Sequence, residues 1–514
     1  MKKALAYWNQ LSVWMLQHPA VYFLLISIPV FGLIGLWDIL WLGPRGLHFM
    51  RQTDSLSFVM GYYQFDVPFA EPRIYNLVGQ DGKAAGEFPW LYYLLAQVFK
   101  VSGPKLYLLR WLDFLIVLGG IYAFFRIALH RLKSLMAAYI TAWLPFSSTV
   151  FFYYATGMVP DVPALGLCLM GLSFSYFWLQ NGKKTYPWWA LLCFTLAGLT
   201  KITVLVSVLA LPGVLLLFAS SNIVFAAIKK QKAMLWSLAW AIVAFGLSAA
   251  WAAYANAYNK VNCDTCFLME ITPYWSLTKE QIDLVWIHIT EYWWPDYYQL
   301  DLWFVWGIVF TGALLLLMRK RNPWTLLFLP VLLGYAVMFV LFFRQFQNHD
   351  YYVITFYSAF ALTLLSFQEQ LRDLPQKGYK VIQLVLLVFL VMSFKRSDKG
   401  LDHRYAVQDD FAALFQHYEN YYQVIDSLHI DSKAKFIVLG DNTPNGGFMA
   451  IRRQGFGIRD TTGLNIPQAV NMHQMRQFDY AIAFKGLDYT DSLKQLWGLQ
   501  PILQNDSVLL YSFH

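Results

Sequence analysis

Charge is scarce in this sequence. Asp, Glu, Lys and Arg make up 14% of the 514 residues, against about 25% in an ordinary soluble domain. That deficit argues against a water-soluble globule. The net charge is +8, yet no basic domain exists. The Lys and Arg residues sit in short loops between apolar blocks, so nucleic acid is excluded as a partner. A glycine-rich nucleotide loop is also missing, as are internal repeats and low-complexity segments. Cysteine is sparse, with four residues. Cys168 and Cys193 lie inside apolar blocks and read as small buried side chains. Cys263 and Cys266 form C-D-T-C in a polar loop. No second CxxC follows, so a zinc site would lack two ligands. A local disulfide is the preferred reading if that loop lies outside the cytoplasm, with two idle thiols as the alternative.

What is present is hydrophobic length. Apolar residues reach 58% and aromatics 18%, with 21 Trp and 32 Tyr. The apolar residues come in blocks of roughly 16–24, the length of a helix that crosses about 30 Å of hydrocarbon. Trp and Tyr favour the membrane–water boundary. Eleven blocks are read: 20–42, 106–129, 134–155, 161–180, 186–199, 202–219, 233–255, 301–318, 324–343, 351–368 and 379–395. Thr200-Lys201 alone separates 186–199 from 202–219, so these are two tilted helices or one broken helix. The chain opens Met1-Lys2-Lys3, but the first apolar run is too long for a signal peptide and lacks a small-residue cleavage pattern. It is expected to remain as the first span.

Loop charge orients the spans. With the N-terminus in the cytoplasm, the inner stretches are Lys2-Lys3, Arg126 to Lys133, Lys183-Lys184, Lys229 to Lys232, Arg319-Lys320-Arg321 and Arg372 to Lys380. All are basic, as the positive-inside rule requires. The outer side then receives 43–105, the turn near Asp161, Lys201, the loop 256–300, the segment 344–350 and everything after about 396. Segment 88–102 is too short to span and is expected to lie as an interfacial helix. The expected organisation is a transmembrane catalytic domain over 1–395, with outer loops 43–105 and 256–300, and a small periplasmic α/β domain over 396–514. Strands are expected at 435–440, 478–484 and 507–513. Gly440-Asp441 and Asn445-Gly446-Gly447 mark turns, and the tail receives no catalytic role.

The candidate chemical residues gather on the expected outer side. The first outer loop carries Arg51-Gln52-Thr53-Asp54 and Glu87-Phe88-Pro89. The second outer turn carries Pro160-Asp161. Lys201 lies between two blocks, and Arg344 and His349-Asp350-Tyr351-Tyr352 flank a later pair. Arg110 and Asp113 lie near the outer end of the second span, close enough to pair. Charges near the apolar zone cost roughly 2.5–3.5 kcal/mol each, so they tend to be functional or paired. Blander readings exist: Asp161 as a helix cap, Lys201 snorkelling to headgroups, His349 as a boundary residue. Carboxylates facing an outer cavity suit a general base acting on an acceptor hydroxyl or amine. Lys and Arg suit a phosphate leaving group.

This ordered set resembles the GT-C glycosyltransferases, nearest to the branch with the bacterial lipid A aminoarabinose transferase and the protein O-mannosyltransferases. The resemblance covers about 20–395. It implies a polytopic α-helical membrane protein of about 11 spans in the bacterial inner membrane, with the N-terminus cytoplasmic and the C-terminal domain periplasmic. It implies transfer of a sugar from a polyprenyl-phosphate carrier, such as undecaprenyl phosphate, to a lipid, glycan or protein acceptor, with inversion. Asp54 would be the catalytic base, with Glu87 and Asp161 beside it. Lys201, Arg344 and Arg51 would bind the donor phosphate, and His349, Tyr351 and Tyr352 would line the cavity. A divalent metal occurs in parts of the superfamily, but no ligand cluster here demands one. Two departures stand out. Glu87 is followed by Phe88-Pro89, where the aminoarabinose transferases carry a lysine before paired prolines. The loop 256–300 has no counterpart. The alternative reading is a transporter or flippase for a lipid-linked or polar substrate, although inverted repeats are missing.

Overall fold

The computed structural model describes residues 13–217, 228–264, 266–267, 271–317, 323–407, 410–441, 443–458, 477–484, 501–504 and 508–513. The basic stretches Lys2-Lys3 and Arg319-Lys320-Arg321 lie outside the described residues, as do the end of the 202–219 block and residue 507. The chain divides into two compact units, one of residues 1–40, 110–251 and 270–402, the other of 41–109, 252–269 and 403–514.

The first unit is helical. Among the described residues, six helices are long and apolar enough to cross a membrane: Leu108–Leu132, Asp161–Asn181, Lys230–Asn262, Pro323–Leu341, Asp350–Leu371 and Gln376–Ala406. The pair Lys279–Tyr297 and Leu300–Leu316, bent by 85°, makes up to seven. The chain is a polytopic α-helical membrane protein. Not every apolar block forms one helix. Block 134–155 is two helices, Leu135–Trp143 and Thr149–Ala155, separated by a stretch with Pro145. Block 20–42 contains Pro19–Leu33 and Leu36–Ile39, divided at Gly35, whose positive φ ends the first helix. Loop 256–300 is mostly helical. Thr278 starts Lys279–Ile287 with a reciprocal capping box to Gln281, the pattern T-x-x-Q predicts.

Packing in this unit relies on small residues and shared polar groups. A Cβ on Gly120 would stand 2.4 Å from the Gly166 carbonyl oxygen. Only glycines let Leu108–Leu132 and Asp161–Asn181 approach so closely. A buried thread of side chains links three further helices. Gln383 Nε2 donates to Gln368 Oε1 (2.8 Å), and Gln368 Nε2 donates to Thr141 Oγ1 (2.8 Å). In an apolar surrounding each of these groups needs a partner. Arg131 pairs with Glu369, and Arg372 donates to the Arg131 carbonyl. Two of the expected inner stretches therefore meet. Arg110 lies 21 positions from Arg131 on the same helix, about 31 Å away, close to a hydrocarbon thickness.

The second unit holds a five-stranded mixed sheet: β1 (Phe436–Leu439), β2 (Gly455–Ile458), β3 (Tyr480–Phe484), β4 (Pro501–Gln504) and β5 (Val508–Ser512). Their order is β2-β1-β3-β5-β4. β1 runs parallel to β2 and β3, while β5 is antiparallel to β3 and β4. Ile437, Leu439, Ile458, Ala481, Ala483, Leu509 and Tyr511 form one apolar cluster on it. The three expected strands are present, and β2 and β4 add to them. Segment 88–102 forms the helix Trp90–Ser102, which buries Leu91, Tyr92, Leu95, Ala96 and Phe99 along one stripe. Cys263 and Cys266 form a disulfide, and Cys168 and Cys193 are free and buried.

Candidate functional site

In the second unit the helix Phe49–Phe65 carries Arg51 and Asp54. Its buried polar residues are satisfied locally. Thr53 Oγ1 donates to the Met50 carbonyl (2.9 Å), and Gln52 Nε2 donates to the Arg45 carbonyl (2.8 Å). This lets a mixed polar helix sit inside a folded unit. Asp54 Oδ1 accepts a hydrogen bond from Asn445 Nδ2 at 2.7 Å. The other end of that amide is also committed. Asn445 Oδ1 accepts from Ser57 Oγ (3.1 Å) and from the Asn76 backbone N–H (3.2 Å). Because those two groups donate, the oxygen faces them and the NH₂ faces Asp54.

The turn carrying Asn445 is built by Asp441. Its Oδ1 accepts from the backbone N–H (2.7 Å) and hydroxyl (2.6 Å) of Thr443, and its Oδ2 from the Gly447 N–H (2.6 Å). Asn445 and Asp441 are buried. Arg51 pairs with Glu87, and both side chains are mostly buried, 17% and 18% exposed. The second carboxylate oxygen of Glu87, Oε2, is buried with no hydrogen-bond partner among the described residues.

In the first unit Asp161 opens the helix Asp161–Asn181, but Pro160 is the cap and no side chain caps that end. The capping reading of Asp161 fails. The carboxylate is buried and meets Lys201 Nζ at 3.2 Å. Lys201 reaches it from an extended residue (φ −154°) between Tyr186–Thr200 and the 3-10 turn Ile202–Leu205. The block pair 186–199 and 202–219 therefore breaks at the lysine. Lys201 Nζ also lies 4.6 Å from the Tyr352 ring centroid and 5.7 Å from that of Tyr351, within cation–π range. His349 packs on both rings, with centroids 5.2 Å and 6.0 Å away. Tyr154 donates its hydroxyl to buried Asp350.

The structure brings Asp161, Lys201, His349, Tyr351 and Tyr352 together. Arg344 lies on the turn Phe343–Gln347, whose Phe346 ring packs on Tyr352 with centroids 5.9 Å apart. Arg344 Nη1 is buried and lacks a hydrogen-bond partner among the described residues. Arg110, fully buried, donates to the Thr156 carbonyl. Among the described residues, no group of three or more His, Cys, Asp and Glu is placed to hold a metal ion.

Sequence reasoning missed Asn445. The turn signal of Asn445-Gly446-Gly447 was visible, but its partner lies 391 residues away. It also left Asp441, Ser57 and Asn76 without a role.

Comparison with solved structures gives the fold. ArnT from Cupriavidus metallidurans in the apo state matches with a TM-score of 0.59 at 12% identity, over 96% of this chain and 98% of that one. ArnT bound to undecaprenyl phosphate matches with a TM-score of 0.58 at 12% identity, over 96% and 97%. The fold is GT-C. The apo Archaeoglobus fulgidus oligosaccharyltransferase, another GT-C structure, matches with a TM-score of 0.52 at 11% identity, over 90% of this chain and 69% of that one. No family model and no curated protein matches the sequence. The GT-C architecture therefore persists here at an identity too low to carry motifs by alignment. It extends into the tail, where the sequence resemblance had stopped at about 395.

Proposed function

We propose that this protein is an inverting glycosyltransferase that moves a sugar from a polyprenyl-phosphate carrier to a lipid, glycan or protein acceptor on the periplasmic face of the bacterial inner membrane. The observation that carries this reading is the near full-length GT-C fold shared with ArnT, one structure of which holds undecaprenyl phosphate.

Asp54 is the base. Its carboxylate takes the proton of the acceptor hydroxyl or amine as that atom bonds to the anomeric carbon. The bond from the anomeric carbon to the carrier phosphate breaks in the same step, and polyprenyl phosphate leaves as an anion. The hydrogen bond from buried Asn445 supports this role, because a base must be held in one orientation. Glu87 Oε2, buried and without a hydrogen-bond partner among the described residues, is offered to a sugar hydroxyl, and Arg51 holds the carboxylate in place. Lys201 and Arg344 bind the carrier phosphate. Asp161 positions Lys201, and Arg344 supplies a buried N–H without a partner among the described residues. His349, Tyr351 and Tyr352 shape the pocket around Lys201. Residues 396–514 lie on the outer side, and the N-terminus lies in the cytoplasm.

The test is purified protein in detergent given an undecaprenyl-phosphate-linked sugar and envelope extract as acceptor. Release of undecaprenyl phosphate is followed with wild type and with Asp54→Asn. A wild-type rate in Asp54→Asn removes the base assignment. A donor that is neither bound nor consumed removes the enzyme reading itself.

A further inference from the structure

The second unit contains a basic recess that the proposed chemistry does not use. It has a volume of about 270 Å³ and is lined by Arg73, Asp81, Ser432, Lys433, Lys435 and Gln454 over an apolar floor with Phe65. That volume is near the lower end for a small-molecule site. Three basic residues and one acidic residue line it, so the lining residues carry two net positive charges. Like charges gathered in a concave surface focus a positive potential and favour a multiply charged anion.

The recess is held by the fold and does not depend on free lysine tails alone. Lys435 precedes β1, and its N–H is fixed to Asp479 Oδ2 at 2.8 Å. The Lys433 N–H is bonded to Asp431 Oδ1 at 2.9 Å. Gln454 Nε2 donates to the Ile74 carbonyl at 3.0 Å. Arg73 pairs its backbone with Lys83. Its Nε is buried with no hydrogen-bond partner among the described residues. A buried guanidinium N–H left unmatched costs free energy, so Arg73, which lines the recess, has donor capacity that an anion reaching its guanidinium would use.

Position separates this recess from Asp54. Phe65 and Asp54 are eleven residues apart on one helix, about 16 Å at 1.5 Å per residue. That is too far for a phosphate leaving group whose sugar carbon meets Asp54. We propose that the recess binds a phosphate monoester or diphosphate group. In the transferase reading it holds a phosphorylated part of the acceptor, one sugar or more away from the attacking atom. That last assignment rests on the proposed function, whereas phosphate binding itself does not.

The experiment is calorimetric titration of the full-length protein in detergent with inorganic pyrophosphate at low salt. Saturable binding is expected, weakened tenfold or more by the triple change Arg73→Gln, Lys433→Gln and Lys435→Gln, and unaffected by Asp54→Asn. Thermal unfolding reports whether the triple variant folds. If it does not, Lys433→Gln alone, at an exposed position, is expected to weaken binding about threefold. A second arm uses dihexanoyl phosphatidate. Binding tenfold tighter than pyrophosphate assigns the phosphate to a lipid headgroup, and equal or weaker binding assigns it to a soluble phosphate ester. Equal pyrophosphate affinity in wild type and the folded variants, or no binding by wild type, overturns the proposal. Loss of transfer in Asp54→Asn with pyrophosphate binding retained keeps the two readings distinguishable.

Discussion

Asn445 Nδ2 lies 2.7 Å from Asp54 Oδ1, although 391 residues of chain separate them. The sheet-bearing tail thus supplies a donor to the carboxylate proposed as the base. The amide cannot turn over without breaking its bonds to Ser57 and Asn76.

Asn445→Ala removes that donor. A hydrogen bond to a charged group is worth about 1.5–3 kcal/mol, so kcat is expected to fall roughly 10- to 100-fold, with KM for the lipid-linked donor little changed. Asn445→Asp keeps the shape but sets a carboxylate against Asp54, and it is expected to fall further. Initial rates of undecaprenyl phosphate release measure both. Wild-type kcat in Asn445→Ala would mean that Asp54 does not need this support.

The buried Asp161–Lys201 pair predicts an asymmetry in stability. Removing one partner leaves a charge uncompensated, at about 3–5 kcal/mol. Lys201→Met alone and Asp161→Asn alone are each expected to lower the midpoint of urea unfolding in detergent. The double variant is expected to recover most of that loss while remaining inactive, because the cation proposed for the carrier phosphate is gone. A double variant no more stable than the singles would show that the ion pair is not what holds these helices.

The Cys263–Cys266 disulfide closes a short loop near Asn259, whose side chain accepts from Ala85 N–H and donates to the Ala85 carbonyl, both at 2.7 Å. For a loop this small, chain-entropy reasoning gives about 2 kcal/mol at most. Denatured, unreduced protein is expected to show two alkylatable thiols by intact mass, from Cys168 and Cys193, and four after reduction. Four thiols before reduction would exclude the bond.

Orientation is open to labelling. In a variant with Cys168 and Cys193 replaced by Ser, a new cysteine at exposed Leu428 is expected to react with a membrane-impermeant maleimide in intact spheroplasts. One at Lys184 is expected to react only after lysis. The reverse pattern would invert the topology.

The helical membrane character was legible because apolar length is a local property. The meeting of Lys201 with Tyr351 and Tyr352 was legible because each residue borders a span on the same expected side, and the membrane limits where such residues lie. β2 was not legible: Gly455-Phe456-Gly457-Ile458 has two glycines in four residues, a poor strand signal, and its place comes from pairing with β1. A Cβ on Gly455 would come 1.9 Å from the Phe436 carbonyl oxygen, so the glycine reflects a close approach by its neighbour. Nor was the link from Asn445 to Asp54 legible, since nothing in a local pattern reports a partner so distant in sequence. The pairing of Arg51 with Glu87 was not legible either, since 36 positions separate them and no local pattern links them.

Asn445 is followed by Gly446, the dipeptide in which a flexible chain loses side-chain ammonia most readily through attack of the glycine nitrogen on the amide carbon. Here the Gly446 N–H is bonded to Thr443 Oγ1 at 2.9 Å, and the Asn445 side chain is held on both sides. The network that orients the carboxylate also holds the Gly446 nitrogen away from free attack on the amide carbon. Whenever this turn opens by local unfolding, the protection lapses, and each deamidated molecule carries an acid opposite Asp54. The turn that orients the carboxylate is thus also the place where opening exposes an Asn-Gly bond.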